Sequence, residues 1–219
     1  MKPEEALALI KKYGASDSVI EHVKAVRDYA MELAARHDCD RELVEAGALL
    51  HDIGRSRTHS IDHAIIGAAI LRQEGVDERI IRIAERHIGA GLTEEDAVSL
   101  GLPPGDYLPK TIEEKIVCQA DNLMGSKDRV SIHEAIAIAE EKWTPDGVKR
   151  LIQLQFEVFK PVEALMNGQA CDKKQIDEAI GNMDVLYKET AENGTCKLLL
   201  YGSDAEKAAG NLKKMALRH

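Results

Sequence analysis

Aromatic residues are scarce: they make up 4% of the 219 residues, with one tryptophan and two phenylalanines. A core built from this chain must be mainly aliphatic. Cysteine is equally thin, with four residues at positions 39, 118, 171 and 196 and no CxxC pair. That excludes a thiolate zinc site and a disulfide framework, and leaves Cys118, in the apolar run "IVCQA", as a small core residue. No run approaches the roughly 20 apolar residues of a membrane span. Basic charge is in deficit, with 29 Lys and Arg against 38 Asp and Glu, a net charge of −9 and a pI near 5.4. Such a balance argues against binding an extended nucleic acid, whose partners carry a basic footprint, although a local basic pocket remains compatible with it. The opening "MKPEEALALIKKYG" reads as a short amphipathic helix with two early glutamates and not as a signal peptide. A cytoplasmic location is the expectation.

What the sequence holds is helical periodicity, 44% hydrophobic residues and 31% charged ones. A first helix is expected over Pro3–Lys12, closed by Gly14. Ser16 or Asp17 caps a second, to about Arg36, with Val19, Val23, Val26, Ala30 and Leu33 on one stripe. Further helices are expected near 41–52, 62–75, 77–88 and 111–125. Between the last two, a Gly- and Pro-rich stretch (89–110) holds one short helix capped at Thr93. Ser131 and Glu134 form a capping box for another. "TPDGVKRLIQLQFEVFKPVEALMNG" then reads as a long helix kinked at Pro161, with two more helices after it, near 173–190 and 203–217. The strand-like run "CKLLLYG" (196–202) has no visible partner and is discounted. The expected fold is all-α: a helical bundle over residues 1–165, and a helical tail over 166–219 that docks on the bundle or forms a homodimer surface.

"LLHDIGRSRTHSIDH" (49–63) packs ionisable groups where an apolar helix ends. Related groups recur on apolar faces elsewhere. His22 lies one turn from Val26, and His51 shares a face with Val44, Gly47 and Ala48. His63 opens its helix one turn before Gly67. His87 continues the stripe Ile80–Ile83–Ala84, and Asp121 comes one turn after Val117. A carboxylate aimed into an apolar interior is costly unless paired or bound to metal. Imidazole together with carboxylate suits Fe, Mn, Co, Ni or Zn better than Ca or Mg. Asp52, with two oxygens next to His51, is able to bridge two ions about 3.5–4 Å apart, a spacing that holds a phosphoryl oxygen and lowers the pKa of a shared water.

In that order, His22, His51–Asp52 and Asp121 resemble the H…HD…D signature of the HD-domain superfamily of metal-dependent phosphohydrolases, with "LLHDIG" as its core motif. "HAIIGAAIL" and "AERHIGAG" resemble the histidine segments of its two-metal branch. The run of Glu114, Lys115 and Ile116 before Asp121 is similar to small stand-alone members such as the YqeK-type diadenosine tetraphosphate hydrolases. The resemblance covers roughly residues 16–130. It implies one ion held by His22, His51, Asp52 and Asp121, and a second held by Asp52, His63 and His87. Ile88 stands where several two-metal members have a second histidine, so the second ion would have fewer protein ligands. The GYP motif is absent, which counts against cyclic di-GMP.

The expected activity is hydrolysis of a phosphoester or phosphoanhydride in a small, nucleotide-like substrate by a metal-bound hydroxide. Asp52 is expected at the reaction centre. Arg55 is the expected phosphate ligand through its planar donor fork, and Lys115 a further candidate. Arg57, Arg86 and His59 are weaker candidates, Tyr107 a candidate for stacking on a base, and 93–106 a candidate lid. Two alternatives stay open. One is a 2′,3′-cyclic phosphodiesterase acting on a nucleotide or pterin. The other, of a different class, is a diiron oxygenase, which would need oxygen and release no phosphate.

Overall fold

In a computed structural model, which describes residues 1–125, 128–159, 162–166, 184–190, 196–201 and 209, the helix signals act where the sequence places them. Helix α1 covers Pro3–Lys12. The Ser16 hydroxyl accepts the Val19 amide and starts α2 (Asp17–Ala34), and the Asp40 carboxylate accepts the Leu43 amide and starts α3 (Arg41–Leu50). Each side-chain cap satisfies an amide that the helix leaves without a partner. After α3 the chain tightens into a 3₁₀ turn, Ile53–Ser56, before α4 (His63–Gln73). Next come α5 (Glu78–Glu85), α6 (Glu94–Ser99) behind the Thr93–Asp96 capping box, and α7 (Ile112–Asn122). Helices α8 (Ile132–Lys142) and α9 (Pro145–Phe159) complete the helical part, and Ser131 and Glu134 cap each other's amides at the start of α8.

Helix α3 is the hub. It packs against α1, α2, α5 and α7. Leu43, Val44, Ala46, Gly47, Ala48, Leu49 and Leu50 are all buried, so the helix has almost no solvent face. At Gly47 a methyl group would stand 2.4 Å from Ile83 Cδ1, and this is how closely α5 approaches. The aliphatic core expected from the composition is present, with Ile10, Leu33, Leu49, Leu50, Ile53, Leu71, Ile81, Ile83 and Ile116 fully buried. Cys118 belongs to it, at 1% exposure. Buried Gln119 donates to Gln155 at 2.5 Å and ties α7 to α9.

The C-terminal part corrects the expected all-helical tail. The long helix stops at Phe159, two residues before Pro161, instead of bending through it, because proline brings no amide donor and restricts the residue before it. Val162–Met166 is a strand, β1, and so are Asp184–Thr190 (β2) and Cys196–Tyr201 (β3). The run set aside for want of a partner is the central strand of an antiparallel sheet ordered β1–β3–β2. Val162 pairs with Leu200 and Met166 with Cys196. Asp184 pairs with Tyr201 and Thr190 with Cys196, and the register shifts between Val185 and Tyr187. Leu198 and Leu200 of β3 are buried. Of the expected helix at 203–217 only residue 209 is described, and it is helical. The all-α description therefore holds for the bundle, and the C-terminal part adds a small sheet to it. The chain divides into two compact units, residues 1–130 with 135–158, and residues 131–134 with 159–219. No helix among the described residues is long and apolar enough to cross a membrane.

Candidate metal centre

His51 is the residue that ends α3, and Asp52 precedes the 3₁₀ turn, so both stand at the foot of the most buried helix. His51, Asp52, His63 and His87 are at most 3% exposed. The Nδ1 atoms of His51, His63 and His87 each lie 2.7 Å from the backbone carbonyl three residues earlier, those of Ala48, Ser60 and Ala84. A carbonyl only accepts, so each Nδ1 carries the proton and donates it. In the neutral ring each Nε2 then carries the lone pair, the tautomer a metal requires and the usual way a ligand histidine is oriented.

These lone pairs converge. His63 Nε2 and His87 Nε2 are 3.1 Å apart, and they stand 3.2 and 3.4 Å from Asp52 Oδ1. On the other side, His22 Nε2 is 2.9 Å from Asp121 Oδ1 and 3.7 Å from Asp52 Oδ2, while His51 Nε2 lies 3.5 Å from Asp121 Oδ1 and 3.8 Å from Asp52 Oδ2. His51 Nε2 and Asp52 Oδ1 are buried without a hydrogen-bond partner. Two facing imidazole lone pairs repel unless a proton or a cation lies between them, and a buried orphan acceptor costs on the order of 1–3 kcal/mol. A cation near these atoms relieves both. His22, His51 and Asp121 are grouped closely enough to hold one ion, and so are His51, Asp52 and His87. The donor set fits divalent transition metals; Asp52 presents one oxygen to each side, as a bridging carboxylate would.

The charges in the cluster shift accordingly. Burial opposes a charged His51, but the carboxylates of Asp52 and Asp121 outweigh it and raise this histidine to about 9. Burial lowers His87, with partial relief from Asp52. Burial also opposes the Asp52 carboxylate, yet the surrounding histidines His51, His63 and His87 hold it well below the usual carboxylate range. Asp121 is held low in the same way, by His22 and His51.

A domain family, two relatives and a solved structure are similar to this chain. The HD domain family matches residues 19–125. An uncharacterized protein of Methanocaldococcus jannaschii is 50% identical over 165 residues, covering 72% of this chain and 97% of the relative. The chain belongs to the HD-domain family. That family is the superfamily of metal-dependent phosphohydrolases which the motifs resemble. A tRNA (cytidine(56)-2′-O)-methyltransferase of Thermoplasma volcanium is 48% identical over 154 residues, 69% of this chain but 46% of the methyltransferase, so the HD-domain chain spans just under half the length of that relative. Among solved structures, the Listeria monocytogenes phosphodiesterase PgpH HD domain in complex with cyclic-di-AMP overlaps with a TM-score of 0.47 at 18% identity, covering 68% of this chain and 92% of that one.

The two glycines of the HD-domain motif region explain how His63 reaches Asp52. A methyl group at Gly54 would sit 1.9 Å from the His63 carbonyl oxygen, and one at Gly67 would sit 3.1 Å from the Gly54 nitrogen. The 3₁₀ turn lies directly on α4 only because neither residue has a side chain. His87 is positioned from the far side by α7: Asn122 Nδ2 donates to the Gly89 carbonyl at 2.8 Å, and Cys118 Sγ donates to the same oxygen at 3.1 Å. The sequence reading missed Asn122 and Ser60 in these supporting roles. Asn122 is adjacent to Asp121, which was the available signal.

The other candidates separate. Arg55 Nε donates to Asp52 Oδ2 at 2.6 Å, and Arg55 lines an open recess of about 280 Å³ with His59, Ser60, His63, His87 and Asp121. Lys115 pairs with Glu157 at 2.8 Å and is not among the residues lining that recess. Arg57 lies over the Tyr13 ring, 5.5 Å from its centre. Arg86 forms a two-pronged pair with Glu114 at 3.1 and 2.9 Å, nearly out of solvent. Tyr107 donates to the Pro103 carbonyl at 3.0 Å. The structure brings Arg55 and His59 to the cluster, and not Lys115, Arg57 or Tyr107.

Proposed function

We propose that this HD-domain chain is a metal-dependent phosphohydrolase that cleaves a phosphoester or phosphoanhydride in a small, nucleotide-like substrate. The observation that carries the reading is the pair of facing Nε2 atoms, His63 and His87, against the orphaned Asp52 Oδ1. Such a set has chemical sense as a ligand set. Divalent transition metals bound there supply Lewis acidity and a lowered pKa for water. The chain's own groups do the rest. His22, His51, Asp52 and Asp121 form one binding set, and Asp52, His63 and His87 the other. Nδ1 donation to three carbonyls holds the imidazoles with Nε2 aimed inward. Arg55 spends Nε on Asp52 and turns the rest of its guanidinium to the recess, where it binds and orients a phosphoryl oxygen. The recess is open on one side, which suits a small phosphate-bearing molecule.

The test combines metal counting with turnover. Elemental analysis of protein prepared without oxygen or chelator is expected to find about two transition-metal ions per chain. The loaded protein is expected to release phosphate or a phosphomonoester from a panel of mononucleotides, dinucleotides and 2′,3′-cyclic nucleotides. Asp52→Ala should lose both ions and turnover while keeping its helical circular dichroism. Oxygen-dependent turnover of an iron-loaded chain without phosphate release would sink the proposal in favour of an oxygenase.

A further inference from the structure

Glu114, Cys118 and Asn122 follow one another at four-residue steps along α7 and form one stripe of that helix. All three meet the segment that carries His87. Both Glu114 carboxylate oxygens accept from Arg86, at 3.1 and 2.9 Å. Cys118 Sγ lies 3.1 Å from the Gly89 carbonyl oxygen and 3.7 Å from that of His87. Asn122 Nδ2 donates to the same Gly89 oxygen at 2.8 Å. Gly89 is in the left-handed conformation, with φ 56°, and the Trp143 ring crowds its α-carbon: a methyl group there would meet Cζ2 at 3.2 Å. The turn after α5 is therefore gripped, with its carbonyls on α7 and its glycine on the indole.

We propose that this stripe, through Asn122 above all, makes the chain a two-ion protein by holding His87 where the second ion needs it. The inference rests on the metal-dependent reading and assigns Asn122 as a positioning residue of that site. The ligands of the second set are tied down differently. The turn after Asp52 and the helix that His63 opens lie directly on each other at Gly54 and Gly67. His87 comes from a separate segment, past the end of α5. Its ring is oriented by the Ala84 carbonyl, but that bond lies within its own segment. The 3.4 Å between His87 Nε2 and Asp52 Oδ1 is thus set by what packs on the turn, and α7 supplies those bonds. The first set does not need the stripe. Asp121 projects from a neighbouring face of α7 and meets His22 and His51 directly. The second set also has fewer donors, Asp52, His63 and His87, so a displaced histidine weighs more in it.

Asn122 is the last residue of α7 and half-buried. Leucine has its size, a better helix propensity and no donor, so Asn122→Leu should fold. The experiment titrates the metal-free wild type and this variant with manganese(II). Equilibrium dialysis counts bound ions, and electron paramagnetic resonance separates a spin-coupled pair from isolated ions. The wild type is expected to bind about two ions as a coupled pair. Asn122→Leu should keep the affinity of the first ion, bind the second roughly 10–100-fold more weakly, the usual loss for an outer partner of a ligand, and show the spectrum of an isolated ion when one ion per chain is bound. Lys115→Met is the control: it breaks the pair with Glu157 on the same helix, outside the stripe, and should bind like the wild type. Wild-type affinity for both ions in Asn122→Leu overturns the proposal and leaves the two-ion centre standing. Equal weakening of both ions, or the same loss in Lys115→Met, also overturns it, because the effect then lies on Asp121 or on α7 as a whole. A wild-type chain that binds one ion or none removes the two-ion reading itself, and the proposal with it.

Discussion

The two proposed ligand sets share Asp52, and this makes individual residues separable. His87 touches the set through Asp52 Oδ1, and His22 through Asp121 and Asp52 Oδ2. His87→Ala is expected to lower the metal count from about two to about one and to leave His22-side binding intact. Asp52→Ala empties both. Elemental analysis of the two variants side by side checks this, and equal counts would refute the split. Arg55 makes a different prediction because it supplies no ligand atom. Arg55→Lys keeps the charge but loses the fork, so metal content should be unchanged while KM rises roughly tenfold, the loss of about one charge-assisted hydrogen bond. Steady-state kinetics with metal analysis reads both quantities. At this scale the sequence was informative for the histidines, because each sits on an apolar stripe where a lone imidazole is out of place. It offered Lys115 and Arg57 as phosphate candidates with nothing to fix their partners. A long cation on a helix or in a loop has several partners within reach, and only the fold decides between a phosphate, Glu157 and the Tyr13 ring.

Elements deliver these side chains, and the tightest joint is between the 3₁₀ turn and α4. Gly54 has no room for a β-carbon, since the obstruction is the His63 backbone itself and cannot rotate away. Gly54→Ala should cost at the upper end of the roughly 1–3 kcal/mol of overpacking. It should also weaken metal retention although no ligand changes, because the turn and α4 must part and carry His63 from Asp52. Denaturant melts and metal retention during dialysis measure the two effects; loss of stability with full retention would show that the joint does not set the site. The helix starts were legible, since Ser16, Asp40, Thr93 and Thr111 each accept an amide three residues on. The strands were not. "VEALM" is composed largely of good helix formers, and its strand state comes from pairing with β3, a non-local partner that no local pattern displays.

Across the whole molecule, the proposed ligands come from α2, the end of α3, the start of α4, the turn after α5, and α7, so they lie across most of the first unit. Metal held by this set would be a cross-link between packed helices, and its removal a stability event. A ligand at 100 times its Kd adds about 2.7 kcal/mol, which for a chain of this size corresponds to roughly 5–10 °C in Tm. The pH dependence should reverse sign between the two forms. In the metal-free chain His51 is raised from 6.5 to about 9, so its contribution is complete below pH 6.5 and is lost as pH climbs towards 9. His87, lowered, acts only on the acid side of this window, and so do the depressed carboxylates. In the loaded chain the same proton is a competitor for His51 Nε2, so binding tightens as pH rises. Chelated protein should therefore melt progressively lower from pH 6.5 to 9, while protein in excess metal holds or gains Tm. Parallel slopes in differential scanning calorimetry would mean that His51 keeps its proton in both forms and is no ligand.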